Sequence, residues 1–170
     1  MQRPPLTIKA RAKLRMMDLL AQRDHSEKEL RQKLRQYLRP KKRRGYPYPS
    51  PEELEVIMKD IQEAIDAALA HAADSKWLAA PEKISDQLTQ ALNRRKKGIH
   101  YINQYLNEKG LPPIKADPEV ELAKALELLQ RKFPDISSSP REIKAKAMRF
   151  LASRGFTMDI IRQALDSMTP

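Results

Sequence analysis

Apolar residues recur along this chain at intervals of three and four, the spacing that lines one face of an α-helix. One stripe runs Leu30, Leu34 and Tyr37 or Leu38; a longer one runs Leu54, Ile57, Met58, Ile61, Ile65 and Leu69. Others pass through Leu122, Leu126, Leu129 and Phe133, through Ile143, Ala147, Phe150 and Leu151, and through Ile161 and Leu165. No segment of useful length alternates with period two, so no strand is expected. Helix punctuation agrees. Ser26 followed by Glu29 has the form of a capping box, in which each residue can satisfy a backbone N–H at the other's position. Ser50-Pro51-Glu52-Glu53 opens the next helix with a cap, a proline at the first helical position and a Glu that completes the box. Asp117-Pro118-Glu119, Ser139-Pro140-Arg141-Glu142 and Thr157 mark further starts, and Gly110 and Gly155 sit where helices should stop. The pattern predicts about eight helices in an all-α fold.

Residues 40–51 break the rhythm. Lys41-Lys42-Arg43-Arg44 runs into Gly45-Tyr46-Pro47-Tyr48-Pro49, a basic, aromatic, proline-stiffened loop that cannot be helical. Residues 111–118, with Pro112, Pro113 and Pro118, read as a plain connector.

Self-comparison adds a repeat. Residues 19–34 align without gaps to residues 150–165: Arg23 falls on Arg154, the cap Ser26 on the cap Thr157, and Leu30 and Leu34 on Ile161 and Leu165. A weaker copy at 91–106 puts Arg95 in the Arg23 place, Gly98 in the cap place, and Ile102 and Leu106 in the core places. Each copy is a helix ending near an Arg, a short turn, and a second capped helix. A helix pair cannot bury both apolar stripes by itself, so a third helix per copy is expected. The predicted architecture is an elongated tandem array of three small helical modules, 1–48, 49–116 and 117–170, with a degenerate middle module allowed for.

Charge changes the picture more than composition does. Residues 1–47 hold 15 Lys and Arg against 4 Asp and Glu, which accounts for the whole net charge of +11. A field this lopsided points to a polyanionic partner at the N-terminal end rather than to solubility alone, which an acidic surface would serve equally well. The chain has no cysteine, which excludes disulfides, thiolate metal sites and thiol nucleophiles and fits a reducing cytoplasm. The longest uncharged run near the middle, residues 67–73, is far too short to span a bilayer, and no signal-peptide apolar region is expected.

Three blocks together resemble the RecX family. The first is Leu19-Leu20-Ala21-Gln22-Arg23-Asp24-His25-Ser26-Glu27-Lys28-Glu29-Leu30-Arg31-Gln32-Lys33-Leu34. The second is Arg94 to Gly98 with Ile102, Leu106 and Lys109-Gly110-Leu111; the third is Phe150-Leu151-Ala152-Ser153-Arg154-Gly155-Phe156. They stand in the family's order and span residues 19–165. Trp77-Leu78-Ala79-Ala80 keeps the hydrophobic part of another family block without its acidic pair, and the 41–49 loop looks like an insertion. The resemblance implies a regulator, mainly an inhibitor, of the recombinase RecA. Such a protein lies in the groove of the RecA–DNA filament and limits its growth, ATP turnover and strand exchange in recombination and repair.

The candidate contact residues follow from charge. Lys41, Lys42, Arg43 and Arg44 with Tyr46 and Tyr48 form the best nucleic-acid site, since cations track phosphate and an aromatic ring can stack on an unpaired base. Arg94, Arg95, Lys96 and Lys97 form a second patch, although cations also suit a helix C-terminus. Lys28, Arg31 and Arg35 make the first capped helix basic; the third copy offers only Arg162, so sequence-specific groove reading by helix–turn–helix pairs is not expected. Arg23 and Arg154 are expected to cap carbonyls or pair with an acid, His25 to pack as Phe156 does, and Trp77 to anchor modules. With only four glycines there is no phosphate loop, and no nucleophile elbow or metal constellation appears, so neither enzyme activity nor a cofactor or metal is expected. The expected partners are the RecA filament and DNA bound without sequence preference, single-stranded within that filament, with the protein a monomer in the cytoplasm and off the membrane. Two other readings stay open: a general basic DNA- or RNA-binding protein with no dedicated protein partner, and a helical scaffold whose basic end meets anionic lipid.

Overall fold

Helix starts that the sequence marks with a hydroxyl or carboxylate are built around that side chain. The computed structural model describes residues 6–42, 44–136 and 141–168. Among them are eight helices and no strand: α1 Ile8–Gln22, α2 Glu27–Leu38, α3 Pro51–Asp74, α4 Pro81–Arg94, α5 Ile99–Glu108, α6 Pro118–Lys132, α7 Arg141–Ser153 and α8 Met158–Ser167. Ser26 Oγ accepts from the Glu29 N–H at 3.2 Å, Thr157 Oγ1 from Ile160 at 3.4 Å, and Asp117 from Glu119 and Val120 at 3.0 and 3.3 Å. Ser50 and Glu53 cap each other reciprocally, at 3.2 and 2.8 Å. Thr7 caps α1, a start the apolar pattern does not reveal. The predicted cap Ser139 and its Pro140 lie outside the described residues. Among the described residues no helix is long and apolar enough to cross a membrane.

The chain divides into two units, Met1–Ala80 and Pro81–Pro170. In the first, α1 and α2 contribute Ala12, Met16, Leu19, Leu30, Leu34 and Leu38, and α3 closes the core with Ile61, Ile65 and Leu69. Alanines 64, 68 and 72 on the same side of α3 are buried too, and their small side chains let the helix approach closely. The boundary expected between residues 48 and 49 therefore falls inside one packed unit. The reason is the one that called for a third helix: two short amphipathic helices cannot cover each other's stripes, and α3 is what covers them. Leu38 is buried and Tyr37 is 41% exposed, which settles the end of the α2 stripe. Trp77 is 39% exposed and sits edge-on to His71 of its own unit, 5.0 Å between ring centroids.

The turn between α1 and α2 buries a polar cluster. Glu29, 4% exposed, takes the Arg23 guanidinium at 2.6 Å and lies 3.7 Å from Lys33. His25 is as buried as Phe156 is in the matching turn, but it is wired in by its ring nitrogens. Nδ1 lies 2.8 Å from the Arg23 carbonyl oxygen, so it donates there; Nε2 is left to accept from the Lys33 ammonium at 3.1 Å. Burial holds the His25 pKa below its ordinary value, and the neighbouring cations Arg23 and Lys33 push the same way against Glu29 and the carbonyl.

In the second unit α6, α7 and α8 enclose Ala125, Leu128, Leu129, Ile136, Ala147, Leu151, Phe156, Ile160, Ile161 and Ala164. Ile143, placed on the α7 stripe by its spacing, is 37% exposed, because the core reaches only the later turns of that helix. Helices α4 and α5 bury Ile84, Leu92, Ile99, Ile102 and Leu106. No third helix follows them directly. Residues 111–117 run without helical structure, and the Asn103 amide grips the backbone of Ile114 in both directions, donating to its carbonyl at 3.0 Å and accepting from its N–H at 2.9 Å. Ser85 Oγ donates to the Pro112 carbonyl at 3.2 Å. The expected connector is thus a strap pinned across α4 and α5.

The two turns of this unit meet backbone to backbone. The Gly98 N–H donates to the Arg154 carbonyl and the His100 N–H to the Gly155 carbonyl, both at 2.9 Å. A Cβ on Gly98 would stand 2.4 Å from the Gly155 carbonyl carbon; one on Gly155, whose φ is +87°, would stand 2.4 Å from the Tyr101 nitrogen. Only glycine fits either place.

Two outcomes follow from these turns. Gly98→Ser gives α5 the kind of cap found at Ser26 and Thr157, a gain of about 1 kcal/mol elsewhere, yet it is expected to lower the stability of the second unit by about 2–4 kcal/mol through the clash. Urea unfolding reads this directly, and a stabilised variant would show that local capping outweighs the approach of the turns. Because the folded pKa of His25 is depressed, the native state binds fewer protons there than the unfolded chain. Its contribution is full above the ordinary histidine pKa of about 6.5 and is lost progressively as pH falls below that value through the lower folded one. The urea midpoint of the first unit should therefore drop between pH 7.5 and 5, and His25→Phe, the residue of the matching turn, should flatten that drop.

Candidate functional site

The cations singled out by charge fall into three structural situations. Those of α2 are largely committed within the first unit. Arg31 pairs with Glu27 at 3.0 Å and with Asp66 of α3, while the Arg35 guanidinium donates to Gln62. The Arg31 hydrogen bond, helped by Gln62, holds the Asp66 carboxyl below the usual range, and the guanidinium is correspondingly harder to deprotonate. These two arginines tie α2 to α3, Arg31 by a partially exposed ion pair of modest energy and Arg35 by a hydrogen bond. Lys28 is exposed on the same helix.

The second situation is the loop after α2. Lys41, Lys42 and Arg44 are exposed, and Arg43 lies outside the described residues. Tyr46 is 74% exposed and Tyr48 38%. The Lys42 ammonium stands 5.6 Å from the centre of the Tyr48 ring, within cation–π range. Pro47, Tyr48 and Pro49 then fold towards the first turns of α3, where with Glu53, Val56 and Ile57 they line a shallow groove of about 540 Å³. The loop has this form because Gly45, with φ +83°, turns the chain and two prolines hold the return. Chemically it offers cations beside an aromatic ring that no core residue covers.

The third situation is the turn from α4 to α5. Arg94 and Arg95 are exposed. Lys96, in a left-handed conformation with φ +54°, pairs with Glu127 of α6, and the Lys97 ammonium lies 3.9 Å from the centre of the Tyr101 ring. Half of this patch is therefore engaged and half is open. The structure adds residues that charge runs do not reveal. Arg154, in the matching turn, donates to the Arg95 carbonyl at 3.4 Å and stands over the Phe150 ring at 5.3 Å; Lys132 approaches the same ring at 4.0 Å. Of the two roles expected for Arg154, capping carbonyls or pairing with an acid, it takes the first, but on a carbonyl of the neighbouring turn. The repeat alignment sets Arg154 equivalent to Arg95; nothing in it says that the two are adjacent.

A buried ion pair underlies the turn. Glu121 and Lys124 of α6 are 3% and 5% exposed and paired with each other. Glu121 accepts from the Ile99 N–H at 3.0 Å, and Lys124 donates to Asn93 Oδ1 at 2.8 Å and the Lys97 carbonyl at 2.7 Å. All three Lys124 donors and both Glu121 oxygens are thus hydrogen-bonded, the condition under which a buried pair is tolerated. Among the described residues no three His, Asp or Glu side chains gather as a metal would require.

Comparison with known proteins matches these features to one family. Residues 119–165 match the family described as RecX, third three-helix domain. The chain is similar to the regulatory protein RecX of Leptothrix cholodnii, 31% identical over 171 residues that cover 96% of this chain and 90% of that protein. It is also similar to the regulatory protein RecX of Serratia proteamaculans, 33% identical over 161 residues, covering 87% and 92% of the two chains. The fold resembles the crystal structure of RecX from Lactobacillus salivarius with a TM-score of 0.64 at 16% identity, over 95% of this chain and 96% of that one. A second RecX crystal structure gives a TM-score of 0.65 at 19% identity, over 98% and 82%.

The different standing of the open and the buried cations has a measurable consequence. Arg94→Glu with Arg95→Glu is expected to leave unfolding free energy within about 0.5 kcal/mol of the parent. Lys124→Met strands Glu121 in the interior and should cost about 3–5 kcal/mol. Equal losses for the two variants would make the turn arginines structural.

Proposed function

The chain belongs to the RecX family, and from that premise we propose that it regulates the RecA recombinase, mainly as an inhibitor. In this reading it binds the RecA–DNA filament and limits filament growth, ATP turnover and strand exchange in recombination and DNA repair. The observation that carries it is the loop at 41–48, where Lys41, Lys42 and Arg44 are exposed within a few residues of Tyr46, itself 74% exposed. Cations so placed give phosphate contact without sequence preference, and the open tyrosine gives a stacking face for an unpaired base, which suits single-stranded DNA inside a filament. Arg94 and Arg95 would make a second phosphate contact from the second unit.

The division of labour that goes with this reading is three modules: α1 to α3, α4 and α5 with their strap, and α6 to α8. The protein acts by binding alone, without cofactor or metal, as a monomer in the cytoplasm and away from the membrane.

The decisive assay is ATP hydrolysis by RecA on single-stranded DNA with this protein at substoichiometric amounts. A reduced rate is expected. An unchanged rate together with tight binding to bare nucleic acid would favour a general nucleic-acid-binding protein instead. Replacing Lys41, Lys42, Arg43 and Arg44 by Glu should weaken DNA association and flatten its salt dependence with helix content intact; unaltered binding would remove the loop from the interface.

A further inference from the structure

Helix α1 is apolar on two opposite faces, and its unit uses one. Inward, Ala12, Met16 and Leu19 are buried against α2 and α3, with Ile8 packed beside them. Outward, Ala10, Leu14, Met17 and Ala21 follow one another at intervals of four, three and four, the spacing of a coiled-coil seam. Leu14 is 49% exposed and Met17 43%, Ala21 is exposed, and Leu6 just ahead of the cap is 59% exposed. At a rise of about 1.5 Å per residue the seam is about 16 Å long. A single exposed leucine needs no explanation, but a second ordered stripe on a helix whose core face is already satisfied does.

We propose that this outward face of α1 is a docking seam for an acidic amphipathic helix of a partner protein. Charge complementarity selects that occupant. Arg11 and Lys13 stand at the two positions that flank the seam and are exposed. The Arg11 and Arg15 guanidinium groups lie over the Tyr37 ring at 5.6 and 5.4 Å, which fixes them along one edge. The single acid on the helix, Asp18, stands on the Arg11 flank one heptad on and lies 4.0 Å from Arg15, so it faces four cations on the same helix, Lys9, Arg11, Lys13 and Arg15. Residues at these flanking positions set partner choice in helix pairs, and cations there call for Glu or Asp opposite. A second copy of this chain would bring Lys9, Arg11, Lys13 and Arg15 against their own kind. A lipid surface would find a narrow seam with an alanine at each end and little bulk to insert. The alanines suit a helix instead, since they let a facing backbone approach.

The probe is a labelled designed helix with Leu at the seam positions and Glu at the flanks, titrated with the full chain and followed by fluorescence anisotropy. Saturable binding is expected, weakened about tenfold or more by Leu14→Ser with Met17→Ser. Those residues are exposed, so circular dichroism and the urea midpoint should not change. Arg11→Glu with Lys13→Glu should lose the Glu helix and gain its Lys counterpart. Failure to bind the Glu helix, or equal binding of Glu and Lys helices, would overturn the proposal. So would sedimentation showing self-association, or flotation showing capture by vesicles of anionic phospholipid, where the Leu14 and Met17 variant abolishes it and the Glu helix does not compete. None of these readouts involves the basic loop or DNA, so the outcome is independent of the function proposed above.

Discussion

The first backbone N–H groups of a helix have no partner within it, and at α5 tertiary structure supplies partners for three of them. Gly98 donates to the Arg154 carbonyl, Ile99 to the Glu121 carboxylate and His100 to the Gly155 carbonyl. An orphan donor buried without a partner would cost about 1–3 kcal/mol, so α4, α5, α6 and the α7–α8 turn depend on one another at this point. Lys124 completes the arrangement by binding the Lys97 carbonyl, so that one ion pair on α6 serves both ends of the turn, a donor at one and an acceptor at the other. The second unit is organised around that junction.

The same helix–turn–helix is solved with three chemistries. At the first turn a hydroxyl caps α2, and the residue before it is a histidine wired to Arg23 and Lys33 beside a buried Glu29. At the third turn a hydroxyl caps α8, and the matching residue is an apolar phenylalanine. At the middle turn there is no hydroxyl, and carbonyls of the neighbouring turn accept from Gly98 and His100 instead. The wired turn is sensitive to protonation and the phenylalanine turn is not, although both bury a ring of similar outline. The cap that lacks a side chain is also the one that cannot tolerate gaining one.

Surfaces divide along a similar line. Charge patterning located the basic loop and the basic turn, but only coordinates separate cations that are spoken for from cations that are open. Arg31 and Arg35 hold α3, Lys96 holds Glu127, and Lys42 and Lys97 lean on tyrosines. Arg94 and Arg95 remain exposed, and Arg154 and Lys132 join their side of the molecule from a distant stretch of chain. A run of like charge predicts a field; it does not say which members of the run are already neutralised.

From the residues alone came the all-helical class, the caps at Ser26, Ser50, Asp117 and Thr157, the three equivalent turns at Ser26, Gly98 and Thr157, and the family. These are local matters: hydrophobic spacing, a hydroxyl before a first turn, a proline or glycine at an end, each acting within a few residues. Tertiary structure alone decided that α3 completes the first unit, that residues 111–117 form a strap, and that Gly98 must be glycine because Gly155 lies against it. It also decided that α1 keeps an apolar face in solvent. Those outcomes rest on contacts between residues tens of positions apart, and a periodic pattern records that a face is apolar without recording what, if anything, will cover it.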